Sequence, residues 1–221
     1  MPRTILSITV IAALALIPAE TRSAADLGAV AGQIRVVKNG KPTANHGNVV
    51  VYLEGIPAPV AVRKHAIRQR NLQFDPRVSV VVKGTTVDFP NDDKVFHNVF
   101  STSRPARFDL GLYRSGASKE VQFKREGVVD VFCNIHPEMW SRVLVVPTTL
   151  FAATDASGKF RIDGVPAGTH SIVAWHPNGA KVSGKVTIER GKAATMTFDV
   201  DEGERPKQHL RKDGTSYGRY E

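Results

Sequence analysis

Residues 131–140 read Val-Phe-Cys-Asn-Ile-His-Pro-Glu-Met-Trp, which spaces Cys133, His136 and Met139 as C-x2-H-x2-M. Upstream, His97 stands in the run Phe-Pro-Asn-Asp-Asp-Lys-Val-Phe-His-Asn-Val-Phe. One thiolate, two imidazoles and one thioether are the donors of a His2Cys copper site with a weak axial sulfur. Soft sulfur favours Cu(I) and imidazole accepts Cu(II), so such a set suits one-electron transfer. No open coordination position and no proton donor–acceptor set accompanies these residues, which argues against catalysis at the metal. Each residue alone has a plain reading: a lone Cys is usually a buried hydrophobe, a Met after an apolar strand is packing, and a lone His is hydrogen-bonded. The combination is more specific. Cys133 is the only Cys, and the other two Met are the initiating Met1 and Met196 in the last apolar run.

The elements that must position these donors read as strands. Alternation puts Val129, Val131 and Cys133 on one face of a strand over 128–133, so the sulfur ends that strand facing the core. A short turn through Asn134 and Ile135 returns His136 to the same point, and Pro137 and Glu138 bring Met139 to the axial side. His97 is expected on a neighbouring strand, sharing a face with Val95 and Val99. Period-two runs recur along the chain, with Asn39-Gly40, Ser157-Gly158 and Arg190-Gly191 as turns between some of them, so the chain is expected to be all-β. His170 and His176 share a face of one expected strand, but six residues span about 20 Å. They cannot hold one ion together. Gly164-Val165-Pro166-Ala167-Gly168 is a turn, since no Lys-Ser/Thr follows it as a phosphate loop requires.

Composition fits this picture. The chain has 221 residues, 42% hydrophobic and 23% charged, which excludes wholesale disorder and a disulfide scaffold. An apolar run, Ile5 to Pro18, follows Arg3 and ends near Ser23-Ala24-Ala25, the pattern of a secretory signal peptide over 1–25. The mature chain is therefore expected outside the cytoplasm, with no stable membrane insertion after cleavage. In an oxidising compartment, a lone thiol needs protection, and a metal bond supplies it. The formal net charge is +9. Without residues 1–25, which carry Arg3, Arg22 and Glu20, 28 basic residues face 20 acidic ones, a net +8. The excess is diffuse apart from Arg63, Lys64, Arg68 and Arg70, and no nucleic-acid-binding motif accompanies it. Residues 201–221 are polar and are expected to form a mobile tail.

Two resemblances sharpen these expectations. Residues 148–200 contain Thr-Asp-Ala-Ser-Gly-Lys-Phe and Val-Pro-Ala-Gly before an apolar strand, and they resemble the transthyretin-like or carboxypeptidase-regulatory β-sandwich. Its opening strands match Gly32-Gln33-Ile34, Gly40-Lys41-Pro42 and Val49–Leu53. One sandwich over 27–60 plus 148–200 is thus expected, with residues 61–147 inserted between its strands. The alternative assigns the N-terminal hairpin to the inserted domain. The approach Val82-Lys83-Gly84-Thr85-Thr86-Val87-Asp88-Phe89-Pro90-Asn91-Asp92-Asp93, with Phe123 and Gly127 before Cys133, resembles the cupredoxin family, in loop length its amicyanin branch. That resemblance implies a Greek-key sandwich and one type 1 copper held by His97, Cys133, His136 and Met139. It also implies that Asn98 hydrogen-bonds across the site and steadies the ligand loop. The edge of His136, among Ile135, Pro137 and Trp140, would be the electron port. The mature chain except its tail further resembles periplasmic proteins labelled methylamine utilisation protein or plastocyanin-like. That implies a non-enzymatic electron carrier serving a redox partner, a dehydrogenase or a c-type cytochrome. Copper storage or delivery, a structural envelope module, and a small oxidase or reductase are the rival readings.

Overall fold

The computed structural model describes residues 27–56, 64–204 and 209–217; the expected leader and Arg63 lie outside them. Among the described residues every regular element is a strand, and the chain is all-β.

The first and last parts of the chain share one sandwich. Its first sheet has the order β15 (Lys159–Pro166), β1 (Leu27–Lys38), β18 (Ala193–Asp201), with the short β2 (Lys41–Pro42) folded back on β1. Its second has the order β14 (Phe151–Ala153), β3 (Val50–Glu54), β16 (Gly168–Trp175), β17 (Lys181–Ile188). β1 is the central strand, antiparallel to β15 and parallel to β18. Alternate residues Ile34 and Val36 of β1 pack with Val51 and Leu53 of β3, and with Ile162, Ile172 and Val200. This is the period-two burial that a two-sheet core requires.

β1 is gripped so closely that its middle tolerates no side chain. Gly32 pairs with Phe160 on one side and Met196 on the other. A Cβ at Gly32 would lie 1.9 Å from the Met196 carbonyl oxygen. Gly32→Ala must therefore push β18 off β1, and it is expected to lower stability by about 1–3 kcal/mol. The urea midpoint measures this, and an unchanged midpoint would contradict the close approach.

The intervening residues form a second sandwich. One sheet has the order β10 (Phe108–Tyr113), β9 (His97–Ser101), β12 (Gly127–Phe132), β13 (Trp140–Val146), β7 (Val78–Val82). Against it packs β11 (Ser118–Gln122), β8 (Thr86–Pro90), β4 (Lys64–Ala66), with a small hairpin of β5 (Arg68–Arg70) and β6 (Gln73–Asp75) at one side. Phe74, Val87, Phe89, Phe123, Val129 and Val143 are among the buried side chains that fill it.

The two sandwiches meet through a third apolar cluster. β13 reads Trp-Ser-Arg-Val-Leu-Val-Val, with only Trp140 short of full burial. Val143 and Val145 turn into their own core, whereas Leu144 and Val146 turn outward onto Val50 and Trp175 of the other sandwich. β3 alternates in the same way, with Val50 and Tyr52 outward and Val51 and Leu53 inward. A near-continuous apolar run is the signature of a strand covered on both faces. Arg142 adds a polar tie. It pairs with Asp130 through Nε at 2.5 Å and donates from Nη1 to the Pro177 carbonyl at 2.8 Å, which lies across the junction.

Candidate metal centre

Val129 and Val131 of β12 and Cys133 directly after it are all fully buried, so the alternation of the strand, carried one residue past its end, delivers the Cys133 thiol into the core. The loop that follows is closed by its own backbone. The Met139 amide donates to the His136 carbonyl at 3.1 Å, and the Cys133 amide to the Met139 carbonyl at 3.1 Å. Pro137 and Glu138 thus form a tight return that starts β13 at Trp140. Met139 is fully buried in the same core cluster as Cys133. His97 opens β9, the strand hydrogen-bonded to β12, and is fully buried.

These elements bring three donor atoms together. His97 Nδ1 and His136 Nδ1 are 3.1 Å apart. Cys133 Sγ lies 3.6 Å from His136 Nδ1 and 4.0 Å from His97 Nδ1. All three atoms fall within 4.8 Å of one another, a group that could hold one metal ion. The two imidazole rings meet edge-on, 4.9 Å between centroids and 69° between planes. Burial first, and then the neighbouring His97, push the His136 imidazole below its usual pKa.

The outer nitrogen of His97 settles which atom faces the site. His97 Nε2 lies 2.8 Å from Asp93 Oδ2. With the proton on Nε2, Nδ1 presents its lone pair toward Cys133 and His136, the carboxylate–histidine arrangement found behind metal-bound imidazoles. Asp93 also accepts the Asn71 amide at 2.6 Å and the Leu72 amide at 3.0 Å. Burial works to raise the Asp93 carboxyl, but these bonds outweigh it and hold its pKa below the usual carboxylate range. Two imidazole nitrogens and a sulfur turned toward one point, each within 4.0 Å of the others, can share a proton or close on one cation. The donor set therefore fits a soft transition-metal ion.

The loop before His97 is held from below. Asn91, fully buried, donates from Nδ2 to the Val95 carbonyl at 2.8 Å and accepts the Asp93 amide at 3.0 Å. Asn91 and Asp93 both stand in the sequence motif quoted above, but the motif alone assigns neither a role. Arg68 and Arg70, read from the sequence as part of a basic cluster, pair with Asp92 in the same loop at 2.9 and 3.5 Å.

Two expectations need correction. Val95 does not share a strand face with His97: β9 begins at His97, and Val95 is 45% exposed in the preceding loop. Asn98 does not hydrogen-bond to the ligand loop either. Its Nδ2 donates to Asp109 Oδ1 at 2.7 Å, and its Oδ1 is buried without a hydrogen-bond partner. Strand alternation explains the change, because a residue adjacent to His97 leaves β9 on the opposite face. Of the expected port residues, Ile135, Pro137 and Trp140 are all half-buried, and Trp140 lies under the Arg77 guanidinium at 5.2 Å. The most exposed large apolar side chains beside the site are others. Phe96 precedes His97, Leu112 pairs with Asn98, and Leu72 is bound to Asp93 through its amide; they are 58%, 59% and 47% exposed.

Comparison with known proteins adds the following. Residues 141–201 match the model of the carboxypeptidase regulatory-like domain. Among solved structures, the chain is similar to a novel purple cupredoxin from Nitrosopumilus maritimus, at 26% identity, TM-score 0.34, covering 37% of this chain and 99% of that one. It is also similar to a methionine-to-alanine mutant of amicyanin in its Cu(I) state, at 19% identity, TM-score 0.36, covering 43% of this chain and 98% of that one. A copper-containing nitrite reductase from Thermus scotoductus SA-01 is similar at 21% identity, TM-score 0.35, covering 51% of this chain and 25% of that one. No curated protein matches the chain.

Proposed function

We propose that this chain is a type 1 copper protein that carries single electrons between redox partners, and that it works outside the cytoplasm, in the periplasm. The observation that carries this reading is the convergence of one thiol and two imidazole nitrogens within 4.8 Å in a buried pocket. His97 Nδ1, Cys133 Sγ and His136 Nδ1 would hold the copper, with Met139 as the weak fourth donor. Copper held by such a set supplies a one-electron couple with little rearrangement between its two states.

The chain's own residues do the rest. Asp93 fixes the His97 tautomer, and the closed Cys133–Met139 backbone keeps the thiol and His136 in register. Burial of Cys133 and His97 excludes water from those two donors, whereas His136 is half-buried. Phe96, Leu112 and Leu72 offer an apolar surface beside His97 on which a partner protein docks, and the positive balance of the chain favours an acidic partner. A dehydrogenase or a c-type cytochrome fits that role.

A Cu(II) titration of the chain from Asp26 onward, followed by visible absorption, tests the reading. An intense thiolate-to-copper band is expected, saturating at one equivalent and lost completely in Cys133→Ala. A colourless one-equivalent complex would sink electron transfer and leave copper handling as the better reading.

A further inference from the structure

Residues 209–217, expected from composition to belong to a mobile tail, are laid across the outside of the Cys133 loop. The segment is folded on itself: the Arg211 amide donates to the Thr215 carbonyl at 2.8 Å, and the Thr215 amide and hydroxyl both donate to Asp213 Oδ1. The Arg211 guanidinium sits 5.3 Å from the centre of the Tyr217 ring. This small closed loop then contacts three consecutive residues at the end of β12. His209 stacks on Phe132, with centroids 4.3 Å apart and planes inclined by 21°. The Tyr217 hydroxyl donates to the carbonyl of Cys133 at 2.8 Å. The Lys212 amide donates to Asn134 Oδ1 at 2.9 Å.

The same segment reaches the strand of the first imidazole. Lys212 Nζ binds Asp109 Oδ2 at 2.6 Å, and Asp109 Oδ1 accepts Asn98 Nδ2. A link between the residue after His97 and the residue after Cys133 therefore exists, but it runs Asn98, Asp109, Lys212, Asn134. The steadying expected of Asn98 alone is shared with a segment more than a hundred residues downstream. A polar peptide without an apolar stripe has little reason to order by burial. Here its outward hydrogen bonds go to the Cys133 carbonyl, the Asn134 side chain beside it, and Asp109.

We propose that His209–Tyr217 is a positioning element of the metal centre, in which Tyr217 and Lys212 clamp the Cys133 loop in its ligand-ready form and shield the thiol. The proposal rests on the reading of Cys133 as a metal donor for its purpose, though not for its test. Cys133 is the only cysteine, so a disulfide reagent reads this one site in the full, metal-free chain. Opening of the loop must precede reaction, because the thiol is fully buried.

Tyr217→Phe keeps the ring and removes the hydroxyl. It is expected to speed thiol modification by aromatic disulfide about fivefold, the factor that corresponds to one hydrogen bond of ~1 kcal/mol. Asn134→Ala, which removes the acceptor of the Lys212 amide, should act in the same direction, and the Lys212 amide should lose its protection from hydrogen exchange in that variant. Both accelerations should occur at an unchanged melting temperature, and the Cu(II)-loaded Tyr217→Phe chain should show a displaced thiolate-to-copper band. Thiol reactivity at the wild-type rate in both variants would overturn the proposal. So would acceleration that only follows a fallen melting temperature, which marks a role in global stability alone. A chain that shields Cys133 through this segment but gives no coloured copper complex would keep the clamp and reject the electron-transfer reading.

Discussion

Trp175→Ala is expected to destabilise the protein by about 3–5 kcal/mol, the range for emptying a large aromatic site in a core. Trp175 closes β16, is 1% exposed, and packs in the cluster that joins the two sandwiches with Val50, Leu144 and Val146. Its loss leaves a cavity between two sheets that each already bury their other face, so neither can collapse freely into it. The indole Nε1 is buried with no hydrogen-bond partner. Trp175→Phe discards that unsatisfied donor along with part of the ring, and should therefore cost clearly less than the alanine variant. Urea unfolding followed by two probes, one in each sandwich, is the measurement. A single shared transition is expected in the unaltered protein, and separated transitions in Trp175→Ala. A loss below about 1 kcal/mol would mean that the junction does not couple the two halves.

Asp93→Ala is expected to weaken metal binding about 10- to 100-fold, as loss of the carboxylate behind a ligating histidine commonly does. The side chain does two jobs here. It holds the proton on His97 Nε2, and it receives the amides of Asn71 and Leu72. Those two residues form the turn between β5 and β6, both with positive φ, 54° and 55°. That suits Asn but is rare for Leu, so the turn depends on an anchor. Asp93→Asn keeps an oxygen for one amide but presents no full charge to His97, and should fall between the wild type and alanine. Competition with a chelator of known affinity reads the change. Equal affinity across the three proteins would show that His97 needs no orienting partner.

Much of the architecture could be read from residue types. Alternation located β12, because Val129, Val131 and Cys133 mark one apolar face that leads to the thiol. Cys133 and His136 could be grouped from their spacing, since three residues across a turn return a side chain to the same point. Hairpin β5–β6 was not legible. Arg68-Gln69-Arg70 and Gln73-Phe74-Asp75 each bury one residue, and a buried glutamine carries no hydropathy signal. The Gln69 Nε2 donates to the Tyr113 hydroxyl and the Phe89 carbonyl, partners far away in sequence, while its Oε1 is buried without a hydrogen-bond partner. The role of Asp93 was hidden for a similar reason. An acidic residue four positions before a histidine implies nothing outside a helix until the loop is seen to fold the carboxylate onto the ring. The Asn98 expectation came from resemblance and met a different neighbour, Asp109, on β10. Composition misjudged residues 209–217 because it counts apolar surface, and their attachment is by directed hydrogen bonds and one stacked ring.

The central place of β1 has a consequence in time. Apart from the two-residue β2 at its end, its sheet neighbours lie late in the chain: β15 starts about 120 residues after β1 ends, and β18 later still. At a synthesis rate of about 5–20 residues per second, β1 waits on the order of 6–24 s for its first long neighbour. The strands of the metal-bearing sandwich all emerge within that interval, and they can pair with one another while β1 and β3 cannot complete theirs. Folding is thus expected to run from the middle outward, with closure of a long loop as its slow step. During the wait, β1 up to the Val37–Lys38 end that β2 can cover presents unpaired backbone on both edges, the condition in which strands capture wrong partners. A chain delayed at that stage would be expected to aggregate through its first strand, with its metal donors already assembled.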